Sequence, residues 1–156
     1  MAKYRNKLQI CLAASAGGHF NQLLKLTDSW SRYETFYVVT SEVVCKDLKK
    51  SSRVFIVGEC NRQHPLRVIR VLCQCIKIAY SERPAVTIST GAAPGFLFCL
   101  IAKIFGARIV WVDSIANIER LSLSGRMVRP FADLVLTQWP ELAKKYRNVE
   151  YAGMVI

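Results

Sequence analysis

"ICLAASAGGHFNQLLKL", residues 10–26, decides how the chain folds. An apolar run stops at Ala14, Gly17, Gly18 and His19 follow, and an amphipathic segment then begins. A buried strand that turns through glycine into a helix is the opening unit of an α/β sheet. Such a turn lets a ligand come close to the backbone, and the helix beyond it offers unpaired N–H groups to an anion.

The same alternation continues down the chain. Strands are expected in "LQICLAA" (8–14), "TFYVVT" (35–40), "RVFIVG" (53–58), "AVTIS" (85–89), "RIVWVD" (108–113) and "ADLVLTQ" (132–138), with a last short one within 149–156. Helices are expected over 19–30, 42–50, 65–82, 94–106 and 140–146. Pro65 suits a first helical turn and Gly106 a helix end. Strands apolar on both faces, separated by helices, predict a Rossmann-like parallel sheet with helices on both faces. Residues 1–156 carry no repeat or linker and read as one domain.

The chain is greasy yet basic. Hydrophobic residues make up 52%, and 22 Lys+Arg stand against 11 Asp+Glu for a net charge of +11. Mean hydropathy is +0.20. That pairing suits a nucleic acid, an anionic membrane surface or a phosphorylated substrate. The six cysteines form no CxxC pair, and most lie in apolar runs, so a reducing compartment and no metal or cofactor are expected. No signal peptide or transmembrane helix is expected, because "STGAAPG" (89–95) breaks the longest uncharged stretch.

In parallel sheets ligands gather beyond the carboxyl ends of the strands. After the first strand comes "SAGGH", and after the fourth comes "STGAAPG". Gly17 and Gly18 form one candidate anion cradle, and Ser89, Thr90, Gly91 and Gly95 form a second. Two cradles on adjacent strand tips could hold a diphosphate. The dinucleotide fingerprint is missing, since Ala14, Ala16 and His19 occupy its glycine positions. A free-standing nucleotide-binding domain is therefore disfavoured. His19 can accept a proton from an attacking hydroxyl, although a lone histidine in such a turn also serves as a packing residue.

In the 66–81 helix Arg67, Arg70, Gln74, Lys77 and Ser81 recur every three or four residues, and the rest is apolar. Part of that apolar arc could enter a bilayer, with the cations among the lipid headgroups. Arg67, Ile69, Arg70 and Lys77 are the candidate membrane contacts, flanked by Arg62 and Arg83. Phe96 and Phe98, from "GFLFCLIAKIFG", are candidates for the same surface. The basic residues sit on a greasy helix with no nucleic-acid-binding motif, so no nucleic acid is expected as a partner.

"SAGGH", "STGAAPG" and above all "VDSIANIERLSLSGRMVRPFADLVLTQWPEL" (112–142) resemble one family over nearly the whole chain. It is the accessory, acceptor-side subunit of the two-part UDP-GlcNAc transferase of asparagine-linked glycosylation, with bacterial relatives in capsule and exopolysaccharide synthesis. The resemblance implies the N-terminal half of a GT-B glycosyltransferase. The donor half would be a separate catalytic subunit that binds the UDP-sugar. This half would bind the cytoplasmic face of the membrane and face a polyprenyl-diphosphate-linked sugar acceptor. His19, Gly17 and Gly18 match the loop that faces the acceptor diphosphate in the enzyme that makes lipid II, where the histidine is a proposed base. Ser89, Thr90, Gly91 and Gly95 match the second glycine loop.

Asp113, Ser114 and Glu119 are candidate contacts to acceptor or partner. Relatives commonly have Glu-Ser where this chain has the shorter Asp113-Ser114. Eukaryotic members usually carry an N-terminal anchor, so peripheral attachment through the 66–81 helix is expected here, as in a bacterial member. The stop at Ile156 falls about where a one-chain enzyme would cross into its donor domain. The expectation is an acceptor-binding subunit of an inverting, UDP-sugar-dependent transferase, inactive without its partner. The alternatives are a non-catalytic anchor that recruits the catalytic subunit, and a nucleic-acid-binding module.

Overall fold

In the computed structural model, which describes residues 8–42, 48, 52–61 and 63–155, each apolar run becomes a strand of one sheet. β1 (Gln9–Ala14) leads through α1 (Gly18–Lys25) and a 3-10 turn (Thr27–Trp30) to β2 (Glu34–Val39) and β3 (Arg53–Ile56). Next come α2 (Pro65–Glu82), β4 (Val86–Gly91), α3 (Ala92–Ile104) and β5 (Arg108–Val112). The chain continues through α4 (Leu123–Val128), β6 (Leu134–Thr137), α5 (Pro140–Lys145) and β7 (Glu150–Tyr151). The sheet has seven strands in the order β3-β2-β1-β4-β5-β6-β7, all parallel. This is the Rossmann-like architecture expected from the sequence. The expected 42–50 helix, with Cys45, lies mostly outside the described residues, as does Arg62.

The strand order fixes where a ligand can bind. From β1 the chain builds outward through β2 to β3, then returns to lay β4 on the other side of β1. The helices that follow β1 and β4 leave on opposite faces, so a crevice opens between those two strand tips. Alternation along β1 supplies both cores. Cys11 and Ala13 share one with Cys75, Ala79, Phe98 and Cys99 of α2 and α3. Ile10, Leu12 and Ala14 share the other with Phe20 and Leu23 of α1. Burial pushes the Cys11 and Cys99 thiols up and that of Cys75 to about 12. These cysteines therefore pack as small apolar groups.

Three elements depart from expectation. The helix expected over 19–30 is broken near Leu26, whose N–H turns to Leu23 O at 3.1 Å, while Thr27 Oγ1 donates to Leu24 O at 2.6 Å. The next turn tightens to 3-10 geometry. α3 begins two residues ahead of Pro94, where the missing proline N–H is one the first turn leaves unpaired anyway. α4 was not foreseen. Its cap is Ser122, whose Oγ accepts from Gly125 N at 2.8 Å.

Asp133, just before β6, ties two layers together. Its carboxylate accepts from Lys103 Nζ of α3 and from the N–H of Ile109 at the start of β5, each at 2.7 Å. Those two bonds, the lysine's above all, hold its acid below the ordinary carboxylate value. The depressed value means the stabilisation is whole above the ordinary carboxylate pKa and is lost as pH falls through the lowered one. Asp133→Asn is expected to lower the unfolding free energy by about 1 kcal/mol at neutral pH. In urea titrations the difference from the parent chain should vanish as pH falls through the lowered value and the carboxylate protonates. A difference that persists undiminished in acid would exclude this ionic origin.

Candidate functional site

The "SAGGH" turn is held from behind. Ala16 N donates to Thr40 Oγ1 at 2.8 Å, and that hydroxyl in turn donates to Glu59 Oε1 beyond β3. Gly17 has φ +95°, a conformation that side chains resist, and it caps α1. Gly17 and Gly18 are exposed, and a Cβ on either would meet nothing within 4 Å. The protein's own packing does not need that space. It stays open directly over the first amides of α1, which have no partner inside the helix.

β4 ends in an unusual turn. Gly91 has φ +139°, and Ala92 follows at φ +69°, a strained value for a residue with a side chain. The turn meets α1 through two reciprocal bonds. His19 Nδ1 lies 2.8 Å from Thr90 O, and Thr90 Oγ1 donates to His19 O at 2.5 Å. A carbonyl can only accept, so Nδ1 carries a proton, and in the neutral ring the lone pair is therefore on Nε2. A Cβ on Gly91 would lie 2.4 Å from His19 Nδ1. The imidazole thus occupies the space that glycine leaves.

The structure brings the two expected cradles together at the crevice but changes what several residues do there. Ser89 and Thr90 were read as diphosphate contacts, and both are completely buried. Ser89 Oγ accepts from Gly91 N at 3.3 Å, and the Thr90 hydroxyl is spent on His19. They shape the turn from beneath, out of a ligand's reach. Gly95 is also buried. A Cβ there would sit 2.5 Å from Ser89 Oγ, so it lets α3 pack onto β4. The open part of the site is Gly17, Gly18, the half-buried His19 and, at the start of α3, the half-buried Ala92 and Ala93.

Asp113 was read as a contact for acceptor or partner. It is buried instead, with four donors around its carboxylate. Oδ1 accepts from Ser122 Oγ at 2.5 Å and Trp111 Nε1 at 3.1 Å. Oδ2 accepts from Ser122 N at 2.9 Å and Asn117 Nδ2 at 3.2 Å. The shortened carboxylate anchors the 114–122 loop. Ser114 stays half-buried beside the crevice, where Gln22 Nε2 of α1 donates to its hydroxyl at 3.5 Å. Glu119 is exposed in the same loop, and its backbone oxygen accepts from Lys145 Nζ at 3.0 Å.

Sequence reasoning missed Gln138. This buried amide donates to Gln22 Oε1 and Asp113 O, each at 3.0 Å, and accepts from Val155 N at 2.8 Å. It joins the ends of β5 and β6 to α1. Thr40 and Glu59 were missed as well.

The outer face of α2 resolves into stripes. Val71, Cys75, Ile78 and Ala79 pack inward. Leu66, Ile69, Cys73, Ile76 and Tyr80 form an exposed apolar line, with Leu66 80% and Tyr80 61% accessible. Arg67, Arg70 and Lys77 form a parallel polar line, also exposed. The phenylalanines expected beside them do not join. Phe98 is fully buried, and Phe96 packs on Phe131 with ring centroids 6.1 Å apart. Ile104, 71% accessible, and Phe105 extend the apolar line instead, where Phe105 meets Tyr80 edge-on at 6.0 Å. Arg83 stacks over Tyr80 at 5.4 Å. Among the described residues no helix is long and apolar enough to cross a membrane.

This fold and chain are shared with known proteins. Against the solved structures, the chain superposes on MurG of Acinetobacter baumannii with a TM-score of 0.77, at 11% identity over 92% of this chain and 45% of that one. It matches the UDP-N-acetylglucosamine 2-epimerase of Rickettsia bellii at 0.71, with 12% identity over 96% of this chain and 46% of that one. At such identities the likeness is one of fold, to one half of each larger enzyme. Among curated proteins, the UDP-N-acetylglucosamine transferase subunit ALG14 of Yarrowia lipolytica is 37% identical over 87 residues, 52% of this chain and 40% of the relative. The mouse protein of the same name is 26% identical over 187 aligned positions, 97% of this chain and 85% of the relative. The Yarrowia match thus spans less than half of that relative's length. The family model for oligosaccharide biosynthesis proteins like Alg14 matches residues 10–155, from the first strand to the last described residue, so the chain belongs to the Alg14-like family.

Proposed function

We propose that the chain is the acceptor-binding, membrane-associated subunit of a two-component, inverting glycosyltransferase that uses a UDP-sugar. The observation that carries this reading is His19, clamped at Nδ1 by Thr90 O between the tips of β1 and β4. Its free Nε2 stands beside two helix N-termini suited to phosphate. The acceptor is a sugar on a polyprenyl diphosphate. Its diphosphate lies across the first amides of α1 and α3, over the open space at Gly17 and Gly18. The acceptor hydroxyl then faces His19.

In the reaction the hydroxyl oxygen forms a new bond to the anomeric carbon of the donor sugar. The bond from that carbon to the UDP oxygen breaks, and UDP leaves with the electron pair. The hydroxyl proton passes to Nε2. The chain lowers the barrier by holding the acceptor in line and by fixing amide dipoles around its phosphates. A separate GT-B donor half supplies the UDP-sugar. The names of the curated relatives support UDP-N-acetylglucosamine as donor, and the family's description supports oligosaccharide biosynthesis as the setting. They lend nothing to the capsule or exopolysaccharide setting that the resemblance also suggested. The exposed apolar line of α2, edged by Arg67, Arg70 and Lys77, supports peripheral attachment to a membrane surface, which in this proposal is the cytoplasmic face.

The test is transfer of GlcNAc from UDP-GlcNAc to a polyprenyl-diphosphate-linked sugar. The chain alone should show no turnover, and the chain co-expressed with its donor-binding partner should. Full activity without the partner would remove the split-enzyme reading.

A further inference from the structure

α1 sends two side chains to strand tips, one turn apart. His19 meets the tip of β4, and Gln22 meets the residues just past β5 and β6. Helical neighbours at this spacing share a face, with Cβ atoms about 5–6 Å apart. Gln22 is half-buried, and its amide is held in one orientation. Gln138, which is buried, accepts from Val155 N through Oε1, so Nε2 is the end left to face Gln22. An N–H needs an oxygen opposite it, so Gln22 Oε1 lies against Gln138 at 3.0 Å. Gln22 Nε2 is thereby turned toward Ser114 Oγ, 3.5 Å away.

Ser114 is half-buried too, and its hydroxyl also accepts from Ala116 N at 3.3 Å. The proton of that hydroxyl meets no acceptor among the described residues, and neither does the second N–H of Gln22. Two uncharged donors are thus left beside His19, past the first amides of α1. Phosphate favours charged donors and helix N-termini, whereas neutral donors suit the lone pairs of a neutral oxygen. We propose that Gln22, with Ser114, recognises an oxygen-bearing substituent on the ring of the acceptor sugar and so sets which acceptor is extended. The inference rests on the acceptor-binding reading above, because a ring whose hydroxyl meets His19 brings a neighbouring substituent within reach of the next helical turn. The Ser114 hydroxyl rotates, so the direction comes from the Gln22 amide that Gln138 holds.

The test uses the chain assembled with its donor-binding partner, and polyprenyl-diphosphate acceptors whose sugar lacks one oxygen-bearing ring substituent at a time, the attacking hydroxyl always kept. One analogue should be extended about tenfold less efficiently in kcat/KM than the complete acceptor, the upper worth of a neutral hydrogen bond. Gln22→Met should bring the complete acceptor down to that level and leave the analogue unchanged, with the donor KM unmoved. A residue that only supported the fold would lower both acceptors alike. Gln22→Glu keeps the oxygen that Gln138 needs and replaces only the donor, so it should fold as the parent does and lose the preference as well. A preference that survives both substitutions, or a parent complex that extends every analogue equally well, would overturn the Gln22 subsite and leave the transferase reading standing. No transfer to any polyprenyl-diphosphate-linked sugar would overturn that reading along with it.

Discussion

Alanine in place of His19 is expected to lower turnover of the assembled transferase by roughly 10²–10⁴-fold, the range of a positioned general base. Alanine in place of Gly91 should reproduce most of that loss while leaving the imidazole in the chain. At φ +139° a side chain is strained, and the added methyl would press within 2.4 Å of His19 Nδ1. The ring must then leave Thr90 O, which releases the tautomer and the aim of Nε2 together. A loss confined to kcat, with the acceptor KM nearly unchanged, would mark a base that acts after binding. Unchanged turnover in a folded His19→Ala complex would demote the residue to packing. The chain would then be an anchor whose partner performs all the chemistry.

The largest loss of stability should come from Asp113. Truncation to alanine leaves four donors without their acceptor: the Trp111 indole N–H, the Ser122 hydroxyl and amide, and the Asn117 amide. The indole N–H is buried and the other three are partly so, and an unsatisfied buried donor costs about 1–3 kcal/mol before any relaxation. An overall loss of about 3–4 kcal/mol is expected, a large share of the ~5–15 kcal/mol that holds a domain folded. Asp113→Asn should lose less, because one oxygen still accepts. Urea unfolding of the three chains measures the order directly. Asp113→Glu bears on the same site. Gly125 packs so closely that a Cβ there would come within 2.7 Å of Asp113 Oδ1, so the extra methylene has nowhere to go unless the loop shifts. An alanine variant as stable as the parent would show that the carboxylate faces solvent or a partner after all.

The sheet was legible because each strand is a short apolar run bounded by turn residues, and helices fill the gaps between them. The crevice was legible because strand tips at a change of direction are where such folds bind. The supports were not. Thr40 meets Ala16 across 24 positions, and Gln138 meets Gln22 across 116, so no local pattern announces them. Phe98 was misplaced for a different reason. From Phe96 to Ala102 the chain is uniformly apolar, and a helix with no polar side gives periodicity nothing to orient. In α2 the polar line was visible, but the apolar remainder hid two faces, one packed on the sheet and one left bare. Ser89 and Thr90 show the last limit. The sequence places them at a strand tip, yet only the packing of α3 over Ser89 and the bond from Thr90 to α1 turn their hydroxyls inward.

β3 and β4 point the same way, so α2, which joins them, must run back against both. Its 18 residues make a rod of roughly 27 Å. A lipid leaflet that received the bare flank of that rod along its whole extent would lie alongside the strands, never across them. The mouth at the strand ends would then open sideways, level with the water-facing ends of the lipids. Carrier molecules would reach it by drifting within their own leaflet, and they would be extended where they float, without being lifted out.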